Sequence, residues 1–131
     1  MPSPYPLAAG DSDQVSTWQF FRASVDGRSV FRKEFDKLPG HARAALIVLM
    51  QQYLVGKLAA GDIKPIRDDI LELRWRQGNN HFRILFFRWG KYPVALTAFY
   101  KNQQKTPKAK IETALDRQKA WKRTFGDTPS L

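Results

Sequence analysis

The chain has 131 residues, 43% of them hydrophobic and 13% aromatic, enough for one compact domain with its own core and too many for a chain disordered throughout. With no cysteine it excludes disulfide scaffolds, Cys-ligated zinc and thiol catalysis, and it fits a reduced, intracellular, cytoplasmic setting. The net charge of +10 is uneven: Arg74 to Arg123 holds 13 of the 22 basic residues against only Glu112 and Asp116, and no carboxylate occurs between Glu72 and Glu112.

Such a field attracts polyanions: RNA, DNA, an anionic surface or an acidic protein segment. The bland alternative is a solvated basic face that only aids solubility. The longest apolar stretch, Ala44 to Met50, falls far short of the roughly 20 residues that span a bilayer, so no membrane partner is expected. Met1 to Gly10 lacks the Lys or Arg of a secretory signal start.

Residues Met1 to Ser16 read as a disordered tail of Pro, Ser, Gly and Asp ahead of a domain over 17–126, with a short tail at 127–131. Thr17 to Ala23 is aromatic and β-prone, a strand closed by the turn residues Asp26-Gly27. Ser29 is placed to cap a short helix whose Phe31, Phe35 and Leu38 share one face, and Pro39-Gly40 breaks it. Ala42, Ala45, Leu46, Leu49, Met50, Tyr53 and Leu54 then follow the spacing of an amphipathic helix ending near Gly56 or Gly61.

The period next changes to two. Leu71, Leu73 and Trp75 alternate with Glu72, Arg74 and Arg76 in one strand, and Gln77-Gly78-Asn79-Asn80 turns the chain. His81 to Trp89 is apolar on both sides, as suits a central strand covered on both faces. Gly90 to Pro93 turns again, and Val94 to Tyr100 is a third strand. Thr106-Pro107 reads as an N-cap and first helical residue, with Ile111, Ala114, Leu115, Trp121 and Phe125 on the apolar side of a last helix. The order β-α-α-β-β-β-α, with short links between strands, predicts an α+β fold: an antiparallel sheet, a helix hairpin on one face and a C-terminal helix.

Conventional catalytic and metal motifs are missing. His41 and His81 are the only histidines, no His/Asp/Glu cluster has metal-ligand spacing, and no nucleophile elbow or Gly-rich phosphate loop occurs, so no metal or cofactor is expected. Asp68, Asp69 and Glu72 read as a solvated acidic turn. The remaining chemistry is cationic. Arg74 and Arg76 project from one face of their strand, Arg83 lies in the next, Lys101 ends the third, and Lys105 and Lys108 flank the last helix start. His81 begins its strand inside this basic stretch. Phe99 and Tyr100 offer aromatic planes on which bases could stack while phosphates meet the cations. RNA carries its own nucleophile, the 2′-hydroxyl, so a cationic groove with a proton-transfer group suffices in principle to cleave it.

The run Ile70 to Trp121 resembles the HigB branch of the RelE/ParE toxins, also called the Gp49-like family. Its motifs are the Leu-Arg strand, the aromatic strand HFRILFF and the segment FYKNQQKTP before the last helix. The likeness covers Trp18 to Phe125 and extends to mycobacterial HigB toxins. It implies a RelE-like fold and a type II toxin–antitoxin system. The activity implied is that of a metal-independent endoribonuclease (an mRNA interferase) cutting mRNA on the ribosome, inhibiting translation and arresting growth. It further implies a HigA-like helix-turn-helix antitoxin and, in some systems, a SecB-like chaperone.

By the same resemblance Arg83, Arg74, Lys101 and Lys105 are the catalytic candidates, with Arg76, Lys108, Phe99, Tyr100 and His81 as RNA-binding residues. Lys119 to Leu131 has no histidine for the acid–base role that certain relatives place there, so the general base stays open. The alternatives are a ParE-like inhibitor of DNA gyrase, which shares the scaffold, and a plain basic nucleic-acid-binding module.

Overall fold

The computed structural model describes residues 17–103 and 105–130. The tail expected over Met1 to Ser16 lies outside the described residues. Helix α1 spans Val30–Asp36, and Ser29 caps it as expected, its Oγ accepting the Arg32 backbone N–H at 3.1 Å. Helix α2 runs Gly40–Leu54 and stops before Gly56, whose positive φ of 69° reverses the chain.

Five strands form one sheet: β1 (Gln19–Phe20), β2 (Ile63–Arg67), β3 (Ile70–Gln77), β4 (Asn80–Trp89) and β5 (Tyr92–Lys101), in the order β1-β5-β4-β3-β2. Two features differ from the sequence reading. The strand β2 was not expected, because Pro65 interrupts its short pattern; as an edge strand it tolerates a proline that a central one would not. The sheet is also not wholly antiparallel, since β1 pairs parallel with β5 while the other neighbours are antiparallel. A helix hairpin separates β1 from the rest, which gives the chain room for a parallel return.

Strand β4 is central and buried from His81 to Phe87, as its two-sided apolar pattern implied. Alternation sends Phe82, Ile84 and Phe86 to one face and His81, Arg83, Leu85 and Phe87 to the other. The first face carries the helix hairpin: Tyr53 of α2 and Trp18 meet the Phe86 ring edge-on at 5.0 and 4.9 Å. Helix α3 (Lys108–Phe125) covers part of the other face, where Lys122 lies over Phe87 and Trp121 meets Trp89 edge-on at 5.4 Å. The sheet is therefore a middle layer.

One clamp ties the layers at the β1–β5 side. Arg117 of α3 donates to both carboxylate oxygens of Glu34 in α1 at 2.9 Å each and to the Leu96 carbonyl at 2.9 Å, while Thr97 of β5 donates to Glu34 at 2.8 Å. Leu96 is the extra residue of a bulge, since Leu85 pairs with Thr97 but Phe86 with Ala95.

Candidate active site

The face of the sheet that α3 leaves partly uncovered is where the cations gather. Register sets Arg74 opposite Arg83, Arg76 opposite His81, and His81 opposite Lys101. Period two puts all five side chains, with Glu72 and Lys64, on that one face. A cleft of about 350 Å³ is lined there by Arg74, Arg76, His81, Arg83 and, from the turn before β2, Asp62.

Against two of the arginines that line it lies a carboxylate that the sequence reading assigned to a solvated turn. Asp68 and Asp69 do form an exposed turn, both with positive φ. Glu72 instead is 1% exposed. Its Oε1 lies 3.4 Å from Arg74 Nε and 3.5 Å from Arg83 Nε, and its Oε2 accepts the Thr106 hydroxyl. The available signal was alternation itself: Glu72 shares a strand face with Arg74 and Arg76. Thr106 is consequently not the helix cap the sequence suggested. Pro107 occupies that position, and the Thr106 hydroxyl ties the segment entering α3 to the sheet.

Arg83 is as buried as Glu72. It donates to the Phe82 carbonyl at 3.3 Å and, through Nη2, to His81 Nδ1 at 3.0 Å. A guanidinium can only donate, so Nδ1 is the acceptor and the His81 ring proton sits on Nε2. Burial, then the charges of Arg83, Lys101, Arg76 and Arg74, hold the His81 pKa below its ordinary value. His81 is therefore a neutral ring with one N–H to offer.

Lys101 is buried at the end of β5. Burial chiefly, then Arg83, Arg74 and Lys64, lower its pKa to about 8, with Glu72 opposing them. An ammonium so poised is charged at neutral pH yet gives up its proton readily.

The other expected residues fall into two groups. Lys105 and Lys108 are exposed on the segment that Thr106 anchors. The aromatic pair is not at the cleft. Phe99 is on the cationic face but buried, its ring under the Lys110 ammonium at 5.4 Å. Tyr100 is on the opposite face, 50% exposed, its ring tilted against that of Phe82 and its hydroxyl donating to Asn80 Oδ1 at 2.9 Å. Adjacent strand residues point to opposite sides, so the two rings do not share a groove. Among the described residues no group of three or more His, Asp or Glu side chains is placed to hold a metal ion. No helix among them is long and apolar enough to cross a membrane.

Comparison with known proteins places the chain in a family. The sequence model of the family described as Phage derived protein Gp49-like matches residues 33–119. Two curated relatives, from Mycobacterium tuberculosis strains CDC 1551 and H37Rv, each carry the name "Probable endoribonuclease HigB1". Each is 77% identical over 131 residues, covering 100% of this chain and 100% of the relative. The chain belongs to the Gp49-like family and is a HigB-type member of the RelE/ParE toxins.

Proposed function

We propose that this member of the Gp49-like family is an endoribonuclease toxin of a type II toxin–antitoxin system, cutting mRNA on the ribosome in the cytoplasm and so inhibiting translation. A HigA-like helix-turn-helix antitoxin neutralises it, with a SecB-like chaperone assisting that antitoxin. The reading is supported by the endoribonuclease name of the relatives and by one observation above all. A lysine of pKa about 8 shares a sheet face with Arg74, Arg76 and Arg83.

In this reading Arg74 and Arg76, at the open end of the cleft, meet the phosphates of a single strand. Arg83 lies behind them and adds positive field toward the scissile phosphate while fixing the His81 ring. The substrate's 2′-oxygen attacks the adjacent phosphorus. The O2′–P bond forms, the P–O5′ bond breaks, and the 2′-proton departs to water. The cations hold the charge that builds on the phosphoryl oxygens. Lys101 supplies the proton that the departing 5′-oxygen takes, leaving a 2′,3′-cyclic phosphate and a 5′-hydroxyl. Lys105, with Lys108, steadies the flanking charge at the entrance to α3. DNA has no 2′-hydroxyl and is bound without being cut.

Induction in a bacterial host, with transcript ends mapped in the presence and absence of translation, tests this. New 5′ ends inside translated messages are expected from the parent and not from Lys101→Ala or Arg74→Ala. Intact messages with stalled DNA replication would replace this reading by the gyrase-inhibitor one. Cuts unchanged in both variants would remove these residues from the reaction.

A further inference from the structure

The face of the sheet opposite the cations holds a second pocket, at the turn end of the β3–β4 hairpin. It encloses about 370 Å³, within the range of small-ligand sites. Phe82, 3% exposed, is its floor. The Tyr100 ring lies tilted against Phe82 at 5.3 Å, and the His41 ring meets Phe82 edge-on at 6.2 Å. Register sets Gln77 opposite Asn80 and Phe82 opposite Tyr100, so these four residues line one side of the sheet. Asn80 Oδ1 takes the Tyr100 hydroxyl, which leaves the Asn80 amide N–H groups to donate. Gln77 offers a further amide and Lys37 a cation, while no Asp or Glu lines the pocket. A half-exposed tyrosine alone needs no explanation. One that walls a pocket together with two amides and a cation points to a ligand.

We infer that this pocket is a second RNA subsite, which takes one unstacked base of the single strand whose phosphates meet Arg74 and Arg76. Every base has a π-face that stacks on an aromatic ring, and its edge carries acceptors that amide N–H groups can reach. Continuity with the cationic cleft argues for this occupant. Arg76 and Gln77 are neighbours in β3 that project to opposite faces, and only the turn Gly78-Asn79 closes the hairpin beyond them. Trp75, which lines the cleft, packs against the Phe82 ring at 5.5 Å. A strand leaving the cleft past Arg76 therefore rounds the hairpin tip and meets Asn80 and Tyr100. A duplex keeps its bases stacked inside and has none to offer. The inference rests on the ribonuclease reading for the path of the strand, but it concerns the face of the sheet opposite the reacting atoms.

The experiment uses the full chain and short single strands of 2′-O-methyl RNA, which lack the 2′-hydroxyl and stay uncut. Each strand carries the fluorescent base 2-aminopurine at a different position, and affinity and emission are measured at several salt concentrations. In the parent one position should be quenched by stacking. Tyr100→Ala should abolish that quenching and weaken binding roughly 5- to 150-fold, the usual contribution of one stacked base, with the salt slope of the parent. Tyr100→Phe, which retains the ring, should retain the quenching. Asn80→Ala leaves the ring in place and should weaken binding about 2- to 10-fold, the range of one hydrogen bond. Affinity unchanged in both alanine variants, or quenching at no position in the parent, would overturn the subsite. So would a lost affinity accompanied by a lower salt slope in Tyr100→Ala, which assigns the loss to the cationic cleft. A parent that cuts ordinary RNA while Tyr100→Ala binds as the parent does overturns the subsite and leaves the ribonuclease reading intact. Quenching that depends on Tyr100 in a chain that cuts no RNA supports the subsite and removes the ribonuclease.

Discussion

The carboxylate of Glu72 and the guanidinium of Arg83 face each other across 3.5 Å, each side chain 1% exposed. A buried pair of this kind is poor evidence of stability in itself, because removing both charges from water offsets their attraction. Its consequence appears when one partner is lost. Glu72 also holds Arg74 at 3.4 Å and takes the Thr106 hydroxyl, so one buried carboxylate ties two of the cleft's arginines to the segment entering α3.

Glu72→Ala should therefore destabilise the fold by about 3–5 kcal/mol, the usual consequence of leaving a buried charge without its counterion. Urea denaturation of parent and variant measures this, and a loss below about 1 kcal/mol would contradict the central role given to Glu72. Glu72→Gln keeps the shape and removes the charge. Since Glu72 raises the Lys101 pKa against the other influences, this variant should lower it further and shift the pH dependence of cutting toward acid.

The pH dependence of the parent follows from Lys101. As a proton donor of pKa about 8, it should support cutting below that pH and lose it above. Stability runs the other way. The ordinary lysine value of 10.5 is lowered on folding, so between about 8 and 10.5 the unfolded chain binds the extra proton and stability rises with pH. Below about 8 the ammonium weighs against folding in full. The stability of the parent relative to Lys101→Met should accordingly increase across that window, and a flat difference would refute the lowered pKa.

Arg76 is the most open guanidinium of the cleft. Arg76→Ala should weaken RNA binding with little effect on folding. Each phosphate contact with a single strand contributes roughly 0.7 to the slope of log affinity against log salt, so the slope should fall by about that amount. Titration of an uncleavable oligonucleotide at several salt concentrations gives the number. An unchanged slope would take Arg76 off the phosphate path.

Arg117 fixes three elements at once through Glu34 and the Leu96 carbonyl. A lysine cannot reproduce the two-pronged geometry. Arg117→Lys should cost about 1.5–3 kcal/mol, hydrogen bonds to charged groups being the stronger class. For a domain of this size that lowers the melting temperature by roughly 5–15 °C. A change under about 2 °C would mean that α3 is held by its apolar contacts alone.

Much of this was legible in the residue order. Ser29 before an apolar-periodic run specifies a capped helix, and alternation in Leu71–Arg76 and the two-sided apolar run His81–Trp89 specify two strands joined at Gly78. The same alternation sends Arg74 and Arg76 to one side. What it hid was anything that depends on a partner strand or a neighbouring layer. The edge strand β2 has too short a pattern, and its Pro65 argues locally against a strand. The parallel pairing of β1 with β5 joins residues about 75 apart in the chain.

By itself, the sequence determined that one domain would fold, that its cations would collect on the later strands, and that two of them would share a face. These follow from local periodicity and from charge, which need no knowledge of what lies across the sheet. Only the tertiary structure decided that Glu72 is an interior anion and not a surface one, that Thr106 serves it instead of capping α3, and that Phe99 and Tyr100 part to opposite sides. Burial and proton affinity are set by the layers that close over a residue, and those layers come from distant parts of the chain.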